Sequence, residues 1–274
     1  MNYKRILTVQ DISCVGQCSM TVALPILSAC GQECCIAPTA VLSTHTGGFG
    51  KPAVNHLVDS LEPMRRHWQE QNITFDAIYT GYLGSVGAVE AAVKIADTLL
   101  APGGVLIVDP AMADHGRRYS GLSEEYAAAM QQLCAKAEIL IPNVTEGAML
   151  SGMEYREEPE DSYVEEILKA LPGKCVVMTG VGTGSGTTGA AVRDGDTLFR
   201  VSHKKVERSF HGTGDMFAAA FVGALMSGKD VKRAVQIAGD FVLRAIEITL
   251  EAPAHWYGVR FESALGYLQS LLEN

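Results

Sequence analysis

The segment His-Gly-Thr-Gly-Asp at residues 211–215 is the strongest chemical signal in the sequence, and an apolar, alanine-rich stretch follows it. Its two glycines allow a tight turn in which backbone N–H groups approach a ligand closely. If the following stretch is a helix, the positive end of its dipole joins these amides in an anion site. Asp215 in such a site fits the removal of a proton from a hydroxyl while the amides hold phosphoryl oxygens. The segment therefore predicts phosphoryl transfer, and the alternative is an acidic residue that the helix dipole favours by itself.

Further polar candidates stand directly after apolar runs that read as strands. They are Asp11, Ser13, His45, Thr46, Tyr82, Asp109, Asn143, Glu146 and Thr179. In an open parallel sheet, ligands bind outside the carboxyl ends of the strands. We therefore expect these side chains to meet the 211–215 segment at one edge of a sheet.

The elements that must position these residues alternate between strand and helix patterns. Strands are predicted at residues 5–9, 35–42, 75–80, 105–108, 139–141, 175–179, 189–192 and 197–201. Helices are predicted at 19–29, 86–99, 123–136, 165–171, 213–226 and 231–248, with Ser123 as a helix cap. This alternation predicts a three-layer α/β/α fold with a mostly parallel central sheet. We find no linker or repeat, so residues 1–274 are predicted to form a single domain without a separate lid domain.

Composition excludes several classes of protein. The chain has 274 residues, 47% hydrophobic and 19% charged, as in globular proteins. A net charge of −9 argues against a broad nucleic-acid surface. No apolar run approaches the roughly 20 residues of a membrane span, and the N-terminus lacks a signal-peptide pattern. The seven cysteines have neither the even number of a disulfide framework nor the spacing of a zinc site. We expect a cytoplasmic protein.

The ordered set of motifs resembles the ribokinase superfamily. The Gly-Thr-Gly-Asp segment late in the chain is preceded by Gly-Tyr-Leu-Gly-Ser at 81–85, Asp-Pro-Ala-Met-Ala-Asp at 109–114 and Pro-Asn-Val-Thr-Glu at 142–146, in the order of that family. His-Thr-Gly at 45–47 also resembles the pyridoxal kinase branch. The resemblance covers nearly the whole chain. It implies a ribokinase-like fold and ATP-dependent phosphorylation of the 5′-hydroxymethyl group of a vitamin B6 vitamer.

The resemblance also implies roles for the residues that match its motifs. Asp215 would be the general base, and the amides of Gly212, Thr213 and Gly214 would stabilise charge on the transferred group. Five further positions match nucleotide-side or metal-linked residues of the family, and they are Asp109, Asp114, Asn143, Glu146 and Thr179. Glu146 and Asp109 would serve Mg²⁺, partly through water, and adenine would lie between the 202–206 loop and the last two helices. The alternatives are a helix-start acid for Glu146 and a strand-end hydroxyl for Thr179.

The acceptor pocket implied by the resemblance is lined by Asp11, Ser13, His45, Thr46 and Tyr82. Asp11 stands where pyridoxal kinases often carry Ser, and an Asp there could pair with a ring nitrogen, a phenol or an amine. The segment 45–52 also departs from the family pattern, because it has an inserted glycine and lacks a Trp. The alternatives are a polar loop for Asp11 and Ser13 and a core aromatic for Tyr82.

Two other functions remain open from the sequence. A hydroxymethylpyrimidine kinase shares the fold, but that group often carries Cys in place of Asp215 and Met in place of Tyr82. A catalytically inactive nucleotide or vitamer sensor is the other alternative, although Asp215, Glu146 and Gly214 are all present. The resemblance further implies a homodimer.

Overall fold

Short runs of apolar and β-branched residues build the central sheet of the computed structural model, which describes residues 3–184 and 186–273. Such runs suit strands that are covered on both faces. These residues contain eleven strands, namely β1 (Arg5–Ser13), β2 (Glu33–Leu42), β3 (Val54–His56), β4 (Phe75–Thr80), β5 (Leu100–Val108), β6 (Ala113–Asp114), β7 (Arg117–Arg118), β8 (Ile139–Leu140), β9 (Cys175–Thr179), β10 (Thr187–Asp194) and β11 (Thr197–Lys204).

Nine of these strands form one sheet in the order β11-β10-β9-β8-β5-β4-β1-β2-β3. The six inner strands from β9 to β2 run parallel. β3 is antiparallel at one edge, and β10 and β11 are antiparallel at the other. The prediction of a mostly parallel sheet is confirmed. The two remaining described strands, β6 and β7, pair only with each other in a small hairpin.

Helices cover both faces of the sheet. They are α1 (Met20–Ala29), α2 (Val58–Glu70), α3 (Val86–Leu99), α4 (Glu124–Cys134), α5 (Val144–Ser151), α6 (Asp161–Ala170), α7 (Thr213–Met226), α8 (Val231–Leu250) and α9 (Leu265–Glu273). Apolar residues of α1, α7, α8 and α9 pack on one face, and those of α2 to α6 pack on the other. The three-layer α/β/α prediction is confirmed. None of the helices in the described ranges has the length and apolar character needed to cross a membrane.

Helix α7 is buried more completely than its sequence pattern indicates. An apolar stripe containing Met216, Phe217 and Phe221 predicts one buried face, but Ala218, Ala219 and other residues outside the stripe are buried as well. The helix lies between α1, α8 and the sheet, so small residues are needed on its remaining sides. This packing fixes the helix that begins with the 211–215 segment.

Several elements end where the sequence predicts, and others differ. β4, α3, β9 and α7 have the predicted bounds, and the Ser123 side chain caps α4 by accepting the Tyr126 N–H. β5 begins at Leu100 rather than at residue 105, and the antiparallel pairing of β10 and β11 confirms the predicted hairpin. The sequence analysis did not identify β3, β6, β7, α2, α5 or α9. Residue 185 of the glycine-rich loop 180–189 lies outside the described residues.

The carboxyl ends of the parallel strands meet at one edge of the sheet. The chain runs from β1 to β2 on one side and later to β4 on the other side of β1, so the strand order reverses between β1 and β4. A crevice at such a reversal is where ligands bind in open α/β sheets. At this point the Asp11 N–H donates to the Tyr82 carbonyl at 3.2 Å, which ties the two strand ends together.

Candidate active site

Asp215 lies in the first turn of α7, where the helix presents its N-terminal amides. Gly212 caps the helix with a φ of 80°, and a Cβ there would stand 2.2 Å from the Gln17 carbonyl oxygen, so only glycine fits. The first N–H groups of a helix have no intrahelical acceptor. Gly214 is exposed, with open space around the position of a Cβ. The turn therefore offers free amides to an anion beside a carboxylate.

The electrostatic surroundings of Asp215 suit a proton acceptor. Burial raises its pKa to about 6, the Ser19 backbone N–H opposes that rise, and the negative charge of Asp11 adds to it. A carboxyl group with this pKa is ionised at neutral pH and still basic enough to take a proton in a transition state.

Asp11 and Ser13 form a buried polar pair at the end of β1. Asp11 is only 3% exposed, and the Ser13 hydroxyl donates to Asp11 Oδ2 at 3.0 Å. Burial raises the pKa of Asp11, and the Ser19 and Ser13 hydroxyls oppose the rise. Tyr82 is close enough that burial and the Asp11 charge raise the pKa of its phenol. Asp11, Ser13, Tyr82 and Asp215 are therefore brought together, as predicted for an acceptor site.

Glu146 and Asn143 form a capping box at the start of α5. The Glu146 N–H donates to Asn143 Oδ1 and the Asn143 N–H donates to Glu146 Oε2, both at 2.9 Å. Glu146 Oε1 also accepts the N–H groups of Met112 and Ala113, at 3.0 and 3.3 Å. Glu146 therefore stabilises the start of a helix, as the alternative interpretation of this residue predicted. The Asn-x-x-Glu spacing is itself typical of a capping box.

Asp109 follows β5 beside this capping box. Its N–H donates to the Thr80 carbonyl at 3.0 Å, and its side chain is almost fully buried. Burial, together with the negative charges of Glu146 and Asp215, raises its pKa well above the usual range for Asp. Burial likewise raises the pKa of Glu146, against the three backbone N–H groups that it accepts. Two acidic groups therefore lie close together between α5 and α7.

The other two predicted nucleotide-side residues lie at the margin of this region. Thr179 ends β9 and is bridged in parallel fashion to Asn143. Asp114 lies on β6 with an exposed carboxylate that accepts the His115 N–H at 2.8 Å. Asp114 is more exposed than Asp109 at the end of β5, but its negative charge is among the causes that raise the pKa of Glu146.

His45 and Thr46 lie on the loop that leads to β3. The His45 ring lies 5.0 Å from the His211 ring, measured between centroids, and His45 Nδ1 accepts the Gly47 N–H at 3.0 Å. Burial and the neighbouring His211 lower the pKa of His45, so this imidazole is neutral at pH 7. The structure thus brings His45 to the start of the 211–215 segment, whereas Thr46 is exposed.

A cluster of three aromatic side chains, Phe49, Trp256 and Tyr257, packs around the loop 45–52. The Phe49 ring lies 4.7 Å from Trp256 and 5.2 Å from Tyr257, between ring centroids. Gly48 has a φ of 84°, and a Cβ there would stand 3.0 Å from the Trp256 ring. The loop lacks a Trp of its own, and one from the segment after α8 packs against it.

Sequence reasoning missed Tyr119 and Trp256 and assigned no role to His211, and all three residues lie near the site. Tyr119 lies 6.4 Å from Tyr82 between ring centroids, and burial with the charges of Glu146 and Asp114 raises its pKa. His211 and Trp256 contact the 45–52 loop. His211 had a signal, since it begins the glycine motif, but the contact of Trp256 spans about 200 residues of sequence.

The four carboxylates of the site have no basic partner among the residues that the structure describes. Within the described ranges, no Lys, Arg or His forms an ion pair with Asp11, Asp109, Glu146 or Asp215. Buried acids without partners stay neutral or bind cations. No three His, Cys, Asp or Glu side chains of the described residues are arranged to hold a metal by themselves. Asp109 and Glu146 fit Mg²⁺, which uses few protein carboxylates and completes its shell with water and phosphate oxygens.

Comparisons with known proteins identify the family of the chain. The sequence profile of the phosphomethylpyrimidine kinase family matches residues 28–259. The crystal structure of pyridoxal kinase from Lactobacillus plantarum is 32% identical, with a TM-score of 0.90 and 98% of each chain covered. A Bacteroides thetaiotaomicron protein, described as a phosphomethylpyrimidine kinase and crystallised with pyridoxal, is 31% identical, with a TM-score of 0.90 and coverage of 97% of this chain and 95% of that one.

A curated relative with a vitamin B6 kinase name matches a shorter part of the chain. Pyridoxine kinase from Bacillus subtilis strain 168 is 31% identical over 179 residues, which are 64% of this chain and 65% of the relative. The family match covers far more than half of the sequence, and the fold is that of pyridoxal kinases. The chain is therefore an ATP-dependent small-molecule kinase that belongs to the phosphomethylpyrimidine kinase family, in the ribokinase superfamily of the pyridoxal kinases.

Proposed function

We propose that the chain transfers the γ-phosphoryl group of ATP to the 5′-hydroxymethyl group of a vitamin B6 vitamer. The observation that carries this proposal is Asp215, a carboxylate with a pKa raised to about 6 at the amide-rich start of α7. The acceptor hydroxyl would lie against this carboxylate, close to Asp11 and Tyr82. The 31% identical protein crystallised with pyridoxal supports a vitamer as the acceptor.

Asp215 acts as the general base in this mechanism. It accepts the proton of the primary alcohol as the alcohol oxygen attacks the γ-phosphorus. The amides of Gly212, Thr213 and Gly214 donate to the oxygens of the transferred group, where negative charge develops. Their position at the helix start adds the positive end of the dipole. The base and the anion site therefore come from a single turn.

The nucleotide side is formed by residues at the ends of β5, β8 and β9. Asp109 and Glu146 would hold Mg²⁺, largely through water, because both Glu146 oxygens already accept backbone N–H groups. The metal, when bound, neutralises charge on the phosphates. Asn143 orients Glu146 through the capping box, and Thr179 offers a hydroxyl to a phosphate. Asp114, the exposed acid of the β6–β7 hairpin, lies at the edge of this metal site.

The acceptor side is suited to a flat heterocycle. Tyr82 and Tyr119 supply two aromatic rings whose centroids are 6.4 Å apart, and the hydrogen-bonded pair of Asp11 and Ser13 supplies polar groups. His45, as a neutral imidazole, and Thr46 flank the entrance on the 45–52 loop. This arrangement combines aromatic surface with a few polar groups, as small-molecule sites commonly do.

A hydroxymethylpyrimidine kinase is the second candidate. The family profile that matches the chain is that of phosphomethylpyrimidine kinases, and this is the observation in its favour. Asp215 and Tyr82 favour a vitamin B6 acceptor, because the pyrimidine group often carries Cys and Met at those positions. In this chain both functions would use Asp215 and the same anion site, and they would differ in the acceptor alone.

The proposal is tested by product analysis. Pyridoxal, pyridoxine, pyridoxamine and hydroxymethylpyrimidine are each incubated with MgATP and the unaltered protein, and with Asp215→Ala as the control. We expect a 5′-phosphorylated vitamer whose formation falls about 10²–10⁴-fold in the control. Absence of phosphorylated vitamer, or equal formation by the control, would refute the proposal. The homodimer, the single domain, the cytoplasmic location and the adenine site beside residues 202–206 stay predictions.

A further inference from the structure

One carboxylate oxygen of Asp11 has no hydrogen-bond partner among the described residues. Oδ2 accepts the Ser13 hydroxyl at 3.0 Å, and the neighbouring Ser19 hydroxyl helps to lower the pKa of the carboxyl group, but Oδ1 is buried and makes no hydrogen bond in the part of the chain described. The residue is 3% exposed, so water does not reach it freely. An unpaired buried carboxylate oxygen is costly and calls for a donor from a bound molecule.

The groups around Asp11 indicate which charge the hydrogen-bond donor of the bound molecule should carry. Its charged or titratable neighbours are Cys18, Tyr82 and Asp215, which are neutral or negative. No basic side chain of the described residues pairs with it. The complement of this arrangement is a cationic N–H donor, because an ion pair restores the ionised state of a buried acid.

The position of Asp11 connects it with the acceptor. It lies where the strand order reverses, tied by its N–H to the Tyr82 carbonyl, and its charge acts on the base Asp215. Ser19 links the two acids, because its backbone N–H acts on Asp215 and its hydroxyl on Asp11, so we expect a small acceptor whose hydroxyl reaches Asp215 to lie beside Asp11. A carbonyl oxygen or a neutral pyridine nitrogen only accepts hydrogen bonds, and neither can pair with an ionised carboxylate.

We propose that Asp11 Oδ1 binds an ammonium substituent of the acceptor and makes the enzyme selective for heterocycles that carry a cationic amine. This inference rests on the proposed function and adds the chemical class of the acceptor. Pyridoxamine and pyridoxine form the matched pair of probes, because one carries an aminomethyl group where the other carries a hydroxymethyl group.

The test is the ratio of kcat/KM for pyridoxamine to kcat/KM for pyridoxine. In Asp11→Asn and in Asp11→Ser, kcat/KM should fall for both vitamers. We expect the ratio of the pyridoxamine value to the pyridoxine value to fall about tenfold to hundredfold, which is the effect expected for the loss of a hydrogen bond to a charged group. Asp97→Asn is the matched control, since Asp97 pairs with Lys136 at the surface, and its ratio stays at the unaltered value. A ratio that is unchanged in both Asp11 variants overturns the inference.

A measurement on the unaltered protein covers the case in which neither variant folds. The affinities of the unaltered protein for pyridoxamine and for pyridoxine are compared at pH 8 without nucleotide. We expect pyridoxamine to bind more tightly, and equal or tighter binding of pyridoxine overturns the inference. Failure of the proposed function is separate, because the unaltered protein would then phosphorylate neither vitamer.

Discussion

At the scale of single residues, the site is an assembly of acids that perturb one another. In the proposed mechanism Asp11 and Asp215 serve the acceptor, and Asp109 and Glu146 serve the nucleotide and its metal. Burial raises the pKa of each of the four carboxyl groups. The raised pKa of Asp215 suits a general base, because a carboxylate with this pKa is unprotonated at neutral pH and can accept a proton. The other three acids require hydrogen-bond donors or cations.

The raised pKa of Asp215 predicts a pH-dependent rate. Since the base must be unprotonated, kcat/KM for the acceptor should rise as the pH increases through about 6 and then level off. Asp215→Asn should lower kcat about 10²–10⁴-fold and remove this rise. Steady-state rates between pH 4.5 and pH 8 measure both effects. A kcat/KM that is already level from pH 5 upward in the unaltered protein would show that Asp215 is not perturbed in the way described.

At the scale of elements, the turn from residue 210 to α7 is held by close backbone contact. Gly212 lies against the Gln17 carbonyl oxygen, and Thr213 Oγ1 donates to the Phe210 carbonyl at 3.2 Å. The helix behind the turn is buried on most sides. The amides of the anion site are therefore fixed by packing rather than by the ligand.

Two glycines of the same turn should respond differently to alanine. Gly212→Ala places a Cβ 2.2 Å from a backbone oxygen at a positive φ, and we expect about 1–3 kcal/mol of lost stability and loss of activity. Gly214→Ala meets open space and should unfold at the same denaturant concentration as the unaltered protein. Urea unfolding compares the pair. Equal stability of the two variants would contradict the described turn.

The aromatic cluster should affect acceptor binding more than chemistry. Trp256→Ala removes the ring that packs on Phe49, so we expect KM for the acceptor to rise about 2- to 10-fold with little change in kcat. Tyr267→Ala, an exposed aromatic on α9, is the control and should leave KM unchanged. A lower kcat with unchanged KM would assign Trp256 a different role.

The sequence predicts elements best where local and tertiary preferences agree. The continuous apolar patterns of β4, α3, β9 and α7 appear with their predicted bounds. The start of β5 was missed because it contains Pro102 and Gly103, which disfavour strands. α5 was missed because its eight residues depend on the Asn143–Glu146 capping box rather than on an apolar stripe. Of the predicted site, Asp11 and Tyr82 follow from strand-end positions and Asp215 follows from the glycine motif at the start of α7, whereas the contact of Trp256 depends on tertiary folding.

At the scale of the whole molecule, the site unites residues from the two ends of the chain. The strand-order reversal between β1 and β4 opens a crevice, and α7 closes it from the opposite part of the sequence. The crevice concentrates negative charge in a chain of net charge −9. These acids have a higher pKa in the folded state than in the unfolded state. Between the two pKa values, the folded protein therefore holds protons that the unfolded chain has already released. Folding stability without ligands therefore decreases as the pH rises from the unfolded pKa values toward the folded ones.

Magnesium should relieve this loss of stability. Metal binding competes with protons on the carboxylates, so Mg²⁺ with ATP should raise Tm more at pH 8 than at pH 6. Thermal unfolding with and without MgATP at the two pH values measures the difference. Glu146→Gln should reduce the increase in Tm at pH 8. An equal increase at both pH values would contradict a role for ionisable groups in binding MgATP.

The central claim, a vitamin B6 kinase with Asp215 as its base, is tested most directly by competition. Equimolar pyridoxal, pyridoxine, pyridoxamine and hydroxymethylpyrimidine share limiting MgATP in one reaction, and the phosphorylated products are separated by mass. Their initial ratio gives the relative kcat/KM values under identical conditions. We expect vitamer phosphates to predominate and every product to be lost in Asp215→Ala. Predominance of the pyrimidine phosphate, or products that persist in Asp215→Ala, would contradict the account.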